Sequence, residues 1–191
     1  MARLTTHPLT PDRWDDVVSL FGQRGACGGC WCMWWRLTRS EWERRKGASN
    51  RRAFKRIVDA GREPGVIAYR DGEPVGWCAV EPREAYAVLA RSRVLAPLDD
   101  RKAWAVTCFF VRKDCRGQGV TTALLEAAAR HAKRGGAEVL EGYAVVPTKG
   151  RLPDAFIWSG VPDVFTRAGF VEAARPSRAK VVMRKELVGK R

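Results

Sequence analysis

Apolar positions along the chain follow two periods, one helical and one of strand length. Trp14, Val17, Val18 and Phe21 recur at helical spacing. They follow Thr10-Pro11-Asp12, which offers a hydroxyl cap, a first-turn proline and a first-turn acid, so an amphipathic helix is predicted over 11–22. A second helical region runs from Ser40 to Ala60, broken or bent near Gly47-Ala48-Ser49 and stopped by Gly61. A short first strand fits 2–7. Two further runs, 66–70 and 75–81, flank Asp71-Gly72-Glu73-Pro74 and read as a hairpin. Trp104 to Val111 is nearly all apolar, as in a strand covered on both faces. Residues 82–102 read as a mixed loop with one helical turn. Residues 117–134 are helical, with Leu124, Leu125, Ala128 and Ala132 inward and Gly135-Gly136 at the end. A strand at 139–145, a short helix at 161–168 and an antiparallel pair at 170–174 and 180–187 complete the pattern. The order implies an α/β fold: a single mixed, mostly antiparallel sheet of about seven strands flanked by helices.

The chain has 191 residues, 46% of them apolar, which suits one domain over 1–191 with a core that needs no disulfides. No run reaches the 18 or so apolar residues of a membrane span, and Met1-Ala2-Arg3-Leu4 does not open a secretory signal, so a cytoplasmic protein without membrane contact is expected. The formal charge is +14. Arg36, Arg39, Arg44, Arg45, Lys46, Arg51, Arg52, Lys55 and Arg56 crowd one stretch against Glu41, Glu43 and Asp59. That run is either a solvated helix face or an electropositive rim beside a cleft.

Chemistry enters at the end of the apolar strand. Phe109-Phe110-Val111 leads through Arg112-Lys113-Asp114-Cys115 into Arg116-Gly117-Gln118-Gly119-Val120-Thr121-Thr122 and a helix. The unpaired amides of a helix's first turn attract anions, glycines let the backbone come close, and Arg112, Lys113 and Arg116 add positive charge. A pyrophosphate is the natural guest.

Strand, Arg116-Gly117-Gln118-Gly119-Val120-Thr121 and an Ala/Leu-rich helix resemble the acyl-CoA signature of the GNAT superfamily of N-acyltransferases. Thr121 stands where the family has Gly or Ala. The hairpin with Pro74-Val75-Gly76, and Phe165-Thr166-Arg167-Ala168-Gly169-Phe170 before a late strand, extend the likeness over about 64–187, with acceptor-side helices over about 10–61. The resemblance implies a single GNAT-type domain that uses acetyl-CoA as co-substrate. Its fourth and fifth strands would splay, with pantetheine along backbone groups of Phe109, Phe110 and Val111. Arg116, Gly117, Gln118, Gly119, Val120, Thr121 and Thr122 would hold the pyrophosphate.

Amine acetylation needs a base for the amine and stabilisation of the leaving thiolate. The family's tyrosine in the short helix aligns with Phe165, which cannot supply a proton. Glu141 and Tyr143 share one face of their strand and are the leading base and acid; Glu81 is a second base. An ordinary sheet role for both Glu141 and Tyr143 stays open. Trp31, Trp34 and Trp35 either wall an acceptor pocket or pack the core. Cys27, Cys30 and Cys32 form Cys-x-x-Cys-x-Cys, but histidines occur only at 7 and 131 and no second cysteine pair has finger spacing. Structural thiols are expected rather than a metal site or a Cys27–Cys30 redox pair, and Cys108 reads as a buried thiol. The expected partners are acetyl-CoA and an amine acceptor, the latter on a small molecule or peptide, on a charged tRNA or on a protein, with the chain a monomer or homodimer. A non-catalytic acyl-CoA-binding domain is the third reading.

Overall fold

The structure, a computed structural model, describes residues 4–147 and 159–188. The chain runs β1 (Leu4–Pro8), α1 (Trp14–Phe21), α2 (Arg39–Arg45), α3 (Ala48–Asp59), β2 (Gly65–Arg70), β3 (Glu73–Pro82), α4 (Ala87–Arg91), β4 (Ala103–Val111), α5 (Val120–Arg134), β5 (Val139–Val145), α6 (Pro162–Arg167), β6 (Val171–Ser177) and β7 (Lys180–Glu186). The strands form one open seven-stranded sheet in the order β1-β2-β3-β4-β5-β7-β6. Every neighbouring pair is antiparallel except β4 and β5, so the expected mixed, mostly antiparallel sheet is found.

The helix starts differ in detail from the sequence expectation. Thr10 caps nothing; its hydroxyl accepts from Arg13 Nη1 at 2.7 Å. Pro11–Arg13 is consequently a 3₁₀ turn, and the α-helix begins at Trp14. Thr38, by contrast, closes a capping box with Glu41 and starts α2. The break in the second helical region is real: Gly47 has φ +78° between α2 and α3. In the β2–β3 turn Asp71 and Gly72 both have positive φ, +50° and +88°, the backbone of a type I′ hairpin.

Alternation along the strands sorts the core onto two faces. On one, α5 lies over Val66, Ala68, Cys78, Val80 and Val106, with Leu124, Leu125 and Ala128 inward. Gly76 lets the helix approach, since a Cβ there would meet Val120 Cγ1 at 2.7 Å and Leu124 Cδ1 at 3.1 Å. On the other face, Trp14, Phe21, Trp31 and Phe54 pack on Ile67 and Trp77. Beside them Trp35, Tyr86 and Leu89 pack on Ala105, Tyr143 and Val182. Each of these buried large side chains contributes roughly 1.5–3 kcal/mol of transfer free energy.

The parallel pair positions the site. β4 and β5 are in register only from Ala103↔Val139 to Val106↔Gly142. Beyond that, β4 stays on β3 as far as Gly76↔Val111, and β5 stays on β7 as far as Val145↔Lys180. The strands therefore part. The β3–β4 register shifts between Ala79 and Val80, leaving Thr107 as an extra residue in β4. Such a bulge bends its strand and re-aims the residues beyond it, and here it sits where the parting begins.

Candidate active site

Two backbone features meet at the mouth of the splay. The first is the turn from β4 into α5. Gly117 and Gly119 have φ +71° and +79°, conformations that L residues rarely adopt. A Cβ on either would meet no atom within 4 Å, so the space above the turn is open. The first helical bond within α5 runs from Ala123 N to Gly119 O at 3.1 Å. The amides of Val120, Thr121 and Thr122 precede it and have no carbonyl inside the helix. Side chains brace the turn from below: Gln118 Nε2 donates to Asp114 O at 2.8 Å, Arg70 bonds the Gln118 amide oxygen, and Arg112 holds Asp114 at 2.8 Å. A turn with free amides, open space and a 15-residue helix behind it fits a pyrophosphate.

The second feature is the free edge of β4. Arg112 N donates to Val75 O across the β3–β4 pair, so by antiparallel alternation Phe110 also turns its backbone groups to β3. Phe109 and Val111 turn theirs toward the splay. Of the three residues expected to line pantetheine, Phe110 is thus occupied by Trp77, its pair on β3. Val111 O accepts from Arg116 Nε at 3.1 Å, which ties the edge to the turn. On the opposite lip Val145 N donates to Gly160 O at 2.9 Å.

Glu81, Ala105, Glu141 and Arg184 stand in one row across β3, β4, β5 and β7, so their side chains share the face away from α5. The two carboxylates are two strands apart, roughly 10 Å at the usual strand spacing. Both are buried, at 3% and 2% exposure. Glu81 bonds to Arg36 and Arg62. Glu141 takes Arg184 Nη2 on Oε1 at 2.6 Å, and on Oε2 the Tyr143 hydroxyl at 2.8 Å with Arg83 Nε at 3.6 Å. Tyr143 is the first residue of β5 beyond the last β4–β5 pair. Burial, and then the adjoining Glu141 charge, push its phenol well above the ordinary range and keep it protonated. The sequence reading missed Arg36, Arg83 and Arg184. The alternation of Val182 and Arg184 on β7 was the only local signal for the last of these.

The three expected acceptor-wall tryptophans do not converge. Trp31 packs between Trp14 and Phe21 with Arg51 over its ring, and Trp34 stands edge-on to Trp42. Trp35 alone reaches the candidate pair: its ring lies 5.8 Å from that of Tyr143, with Lys180 Nζ 5.5 Å above it. Phe165, at the position of the family's tyrosine, is fully buried between Phe109 and Phe170. All six cysteines are free thiols. Among the described residues no group of three or more His, Cys, Asp or Glu is arranged to hold a metal ion, and no helix is long and apolar enough to cross a membrane.

Comparison with known proteins agrees with this geometry. Residues 31–148, over half the chain, match the model of the acetyltransferase (GNAT) family. The chain belongs to that family. No curated protein matches the sequence. Among solved structures, a GNAT-family acetyltransferase from Desulfovibrio desulfuricans superposes with a TM-score of 0.54 at 16% identity, covering 98% of this chain and 100% of that one. A histone acetyltransferase HPA2-related acetyltransferase from Corynebacterium glutamicum gives 0.56 at 19%, over 100% and 99%. An acetyltransferase from Salmonella typhimurium, solved with acetyl-CoA, gives 0.55 at 11%, over 98% and 95%. At these identities the likeness speaks for the fold.

Proposed function

We propose that this chain transfers the acetyl group of acetyl-CoA to a primary amine of a small molecule or peptide, by direct attack within a ternary complex. The observation that carries the reading is the parting of β4 from β5 beside a glycine turn with free amides at the start of α5. Val120, Thr121 and Thr122 amides would bind the pyrophosphate, Gly117 and Gly119 would admit it, and Phe109 would pair with the pantetheine arm. The acetyl-CoA-bound Salmonella protein shares this fold.

For the chemistry, Glu141 and Tyr143 act as one unit. The hydroxyl of Tyr143 donates to Glu141, so a proton leaving the amine passes to the phenol oxygen while the phenol proton moves to the carboxylate. The neutral nitrogen then attacks the thioester carbonyl, the C–S bond breaks, and the departing CoA thiolate takes the proton left on the nitrogen, giving the amide and free CoA thiol. Arg83 and Arg184 hold the carboxylate in place. Glu81, whose oxygens are both engaged by arginines, remains the alternative base.

The test has two arms. Calorimetry with acetyl-CoA should show binding to the native chain and none to a folded Gly119→Glu variant, which puts a side chain and a negative charge in the open space over the turn. CoA release should then be followed across a panel of amines. Native affinity in the variant would move the phosphates elsewhere. Binding without turnover on any amine would favour a non-catalytic acyl-CoA-binding domain.

A further inference from the structure

We propose that Lys180 selects an acceptor that carries a carboxylate in the same molecule as its amine, as a free amino acid does, and turns diamines away; this rests on the reading of Glu141 and Tyr143 as the amine's end of the site.

Strand register puts the lysine on the acceptor face. Glu141 pairs with Arg184, Tyr143 with Val182 and Val145 with Lys180, so all six side chains lie on the face away from α5. Lys180 is two residues from Val182, about 7 Å along the strand, toward the end where β4 and β5 have parted. Trp35 spans that step. Its ring lies 5.8 Å from the Tyr143 ring, and Lys180 Nζ lies 5.5 Å from its centre. The tryptophan is fixed from behind, because Val88 N donates to Trp35 O at 3.1 Å. A ligand whose nitrogen reached Tyr143 would therefore meet an ammonium at the far side of the indole.

Lys180 differs from the other cations that lie over tryptophans. Arg39, Lys46, Arg51 and Lys55 are exposed, so water solvates their charge. Lys180 is half-buried, and among the described residues it has no carboxylate partner. Burial alone draws its ammonium below the ordinary lysine range.

The carboxylates on this face are already taken. Glu81 is held by Arg36 and Arg62, Glu141 by Arg83 and Arg184, and Asp99 by Arg101 and Arg184. Lys180 is left as surplus positive charge beside the site. Withdrawing a charge from water is costly unless it is paired, and a ligand carboxylate supplies the missing partner. A second ammonium on the ligand would meet like charge there, which discriminates against diamines as strongly as the carboxylate is favoured.

The experiment uses the full chain saturated with CoA, so that nothing turns over, and reads ligand affinity by calorimetry. The ligands are glycine, β-alanine and γ-aminobutyrate, each set beside the alkylamine and the diamine of the same length. At least one amino acid should bind about tenfold or more tighter than its alkylamine, the scale of a hydrogen bond to a charged group, and the diamine should bind weakest. Lys180→Met keeps an unbranched stem against Trp35 and should bring the ratio of amino acid to alkylamine close to one. Lys180→Gln is a second uncharged variant with the same expectation, and Lys180→Arg should keep the preference. Native thermal midpoints confirm that the variants are folded. No binding by any of the ligands, equal affinities within each set, or a preference that survives in a folded uncharged variant would overturn the proposal. Because binding is read without turnover, the two readings fail separately. Selective binding with no CoA release from acetyl-CoA on any amine would sink the transferase reading, whereas CoA release without selective binding would sink the role of Lys180.

Discussion

Glu81 and Glu141 show how much of a residue's role depends on its immediate partners. Both carboxylates are buried in the same row of the sheet, and each is held by two arginines. Removing one charge from such a group leaves guanidinium charge uncompensated where water cannot reach it. Glu141→Gln should therefore cost about 3–5 kcal/mol of stability, the usual scale for breaking a buried ion pair, measured by urea unfolding. A rate loss in that variant would mix folding with catalysis. Tyr143→Phe avoids the problem because it keeps both arginine contacts and removes one hydrogen bond worth about 1 kcal/mol. If the phenol relays the amine's proton, kcat should fall about 10²-fold, as for loss of a positioned acid–base group. The loss should shrink at high pH, where more of the free amine is already neutral. A loss of the same size at every pH would instead place Tyr143 on the leaving thiolate, and no loss would return both residues to a structural role.

At the scale of elements, what could be read from sequence depended on whether the signal was local. The Asp71-Gly72 hairpin and the Gly117–Gly119 turn were legible because positive φ is a property of single residues. The capping of α1 was misread, since Thr10 and Thr38 are both plausible caps and only the rival Arg13 bond separates them. The bulge at Thr107 was invisible because it exists only in the pairing of β3 with β4. That same register decides that Phe110 faces a neighbour and Phe109 the splay. The contact of β5 with α6 was equally non-local. Gly142 reads as a weak strand residue, but a Cβ there would meet Phe165 Cε1 at 2.1 Å. Gly142→Ala should force Phe165 out of the Phe109–Phe170 stack and destabilise by about 1–3 kcal/mol, as overpacking does. Thermal unfolding checks this, and an unchanged midpoint would mean that α6 gives way freely.

For the whole molecule the open question is the acceptor, and the charge of +14 bears on it. Arg39, Arg44, Arg45, Lys46, Arg51, Arg52, Lys55 and Arg56 are all exposed along α2, α3 and the turn between them, whereas Arg36 is buried on Glu81. Half of the exposed group is already engaged by tryptophans: Arg39 lies over Trp34, Lys46 over Trp42, Arg51 over Trp31 and Lys55 over Trp14. These cations cover the acceptor-side aromatics, which favours the solvated-face reading over a rim built for phosphates. An amine carried on tRNA would still have to cross this surface, and binding to phosphates weakens steeply with salt through counterion release. Acetyl-CoA is itself an anion, so the comparison must be made at saturating acetyl-CoA. Under that condition kcat/KM for the best small amine should change little between low and high salt. It should also be unaffected by Arg52→Glu with Arg56→Glu, which reverses two exposed charges and touches no described site residue. A steep salt dependence that flattens in the double variant, with charged tRNA as the better acceptor, would reassign the amine to nucleic acid and the basic helices to its docking.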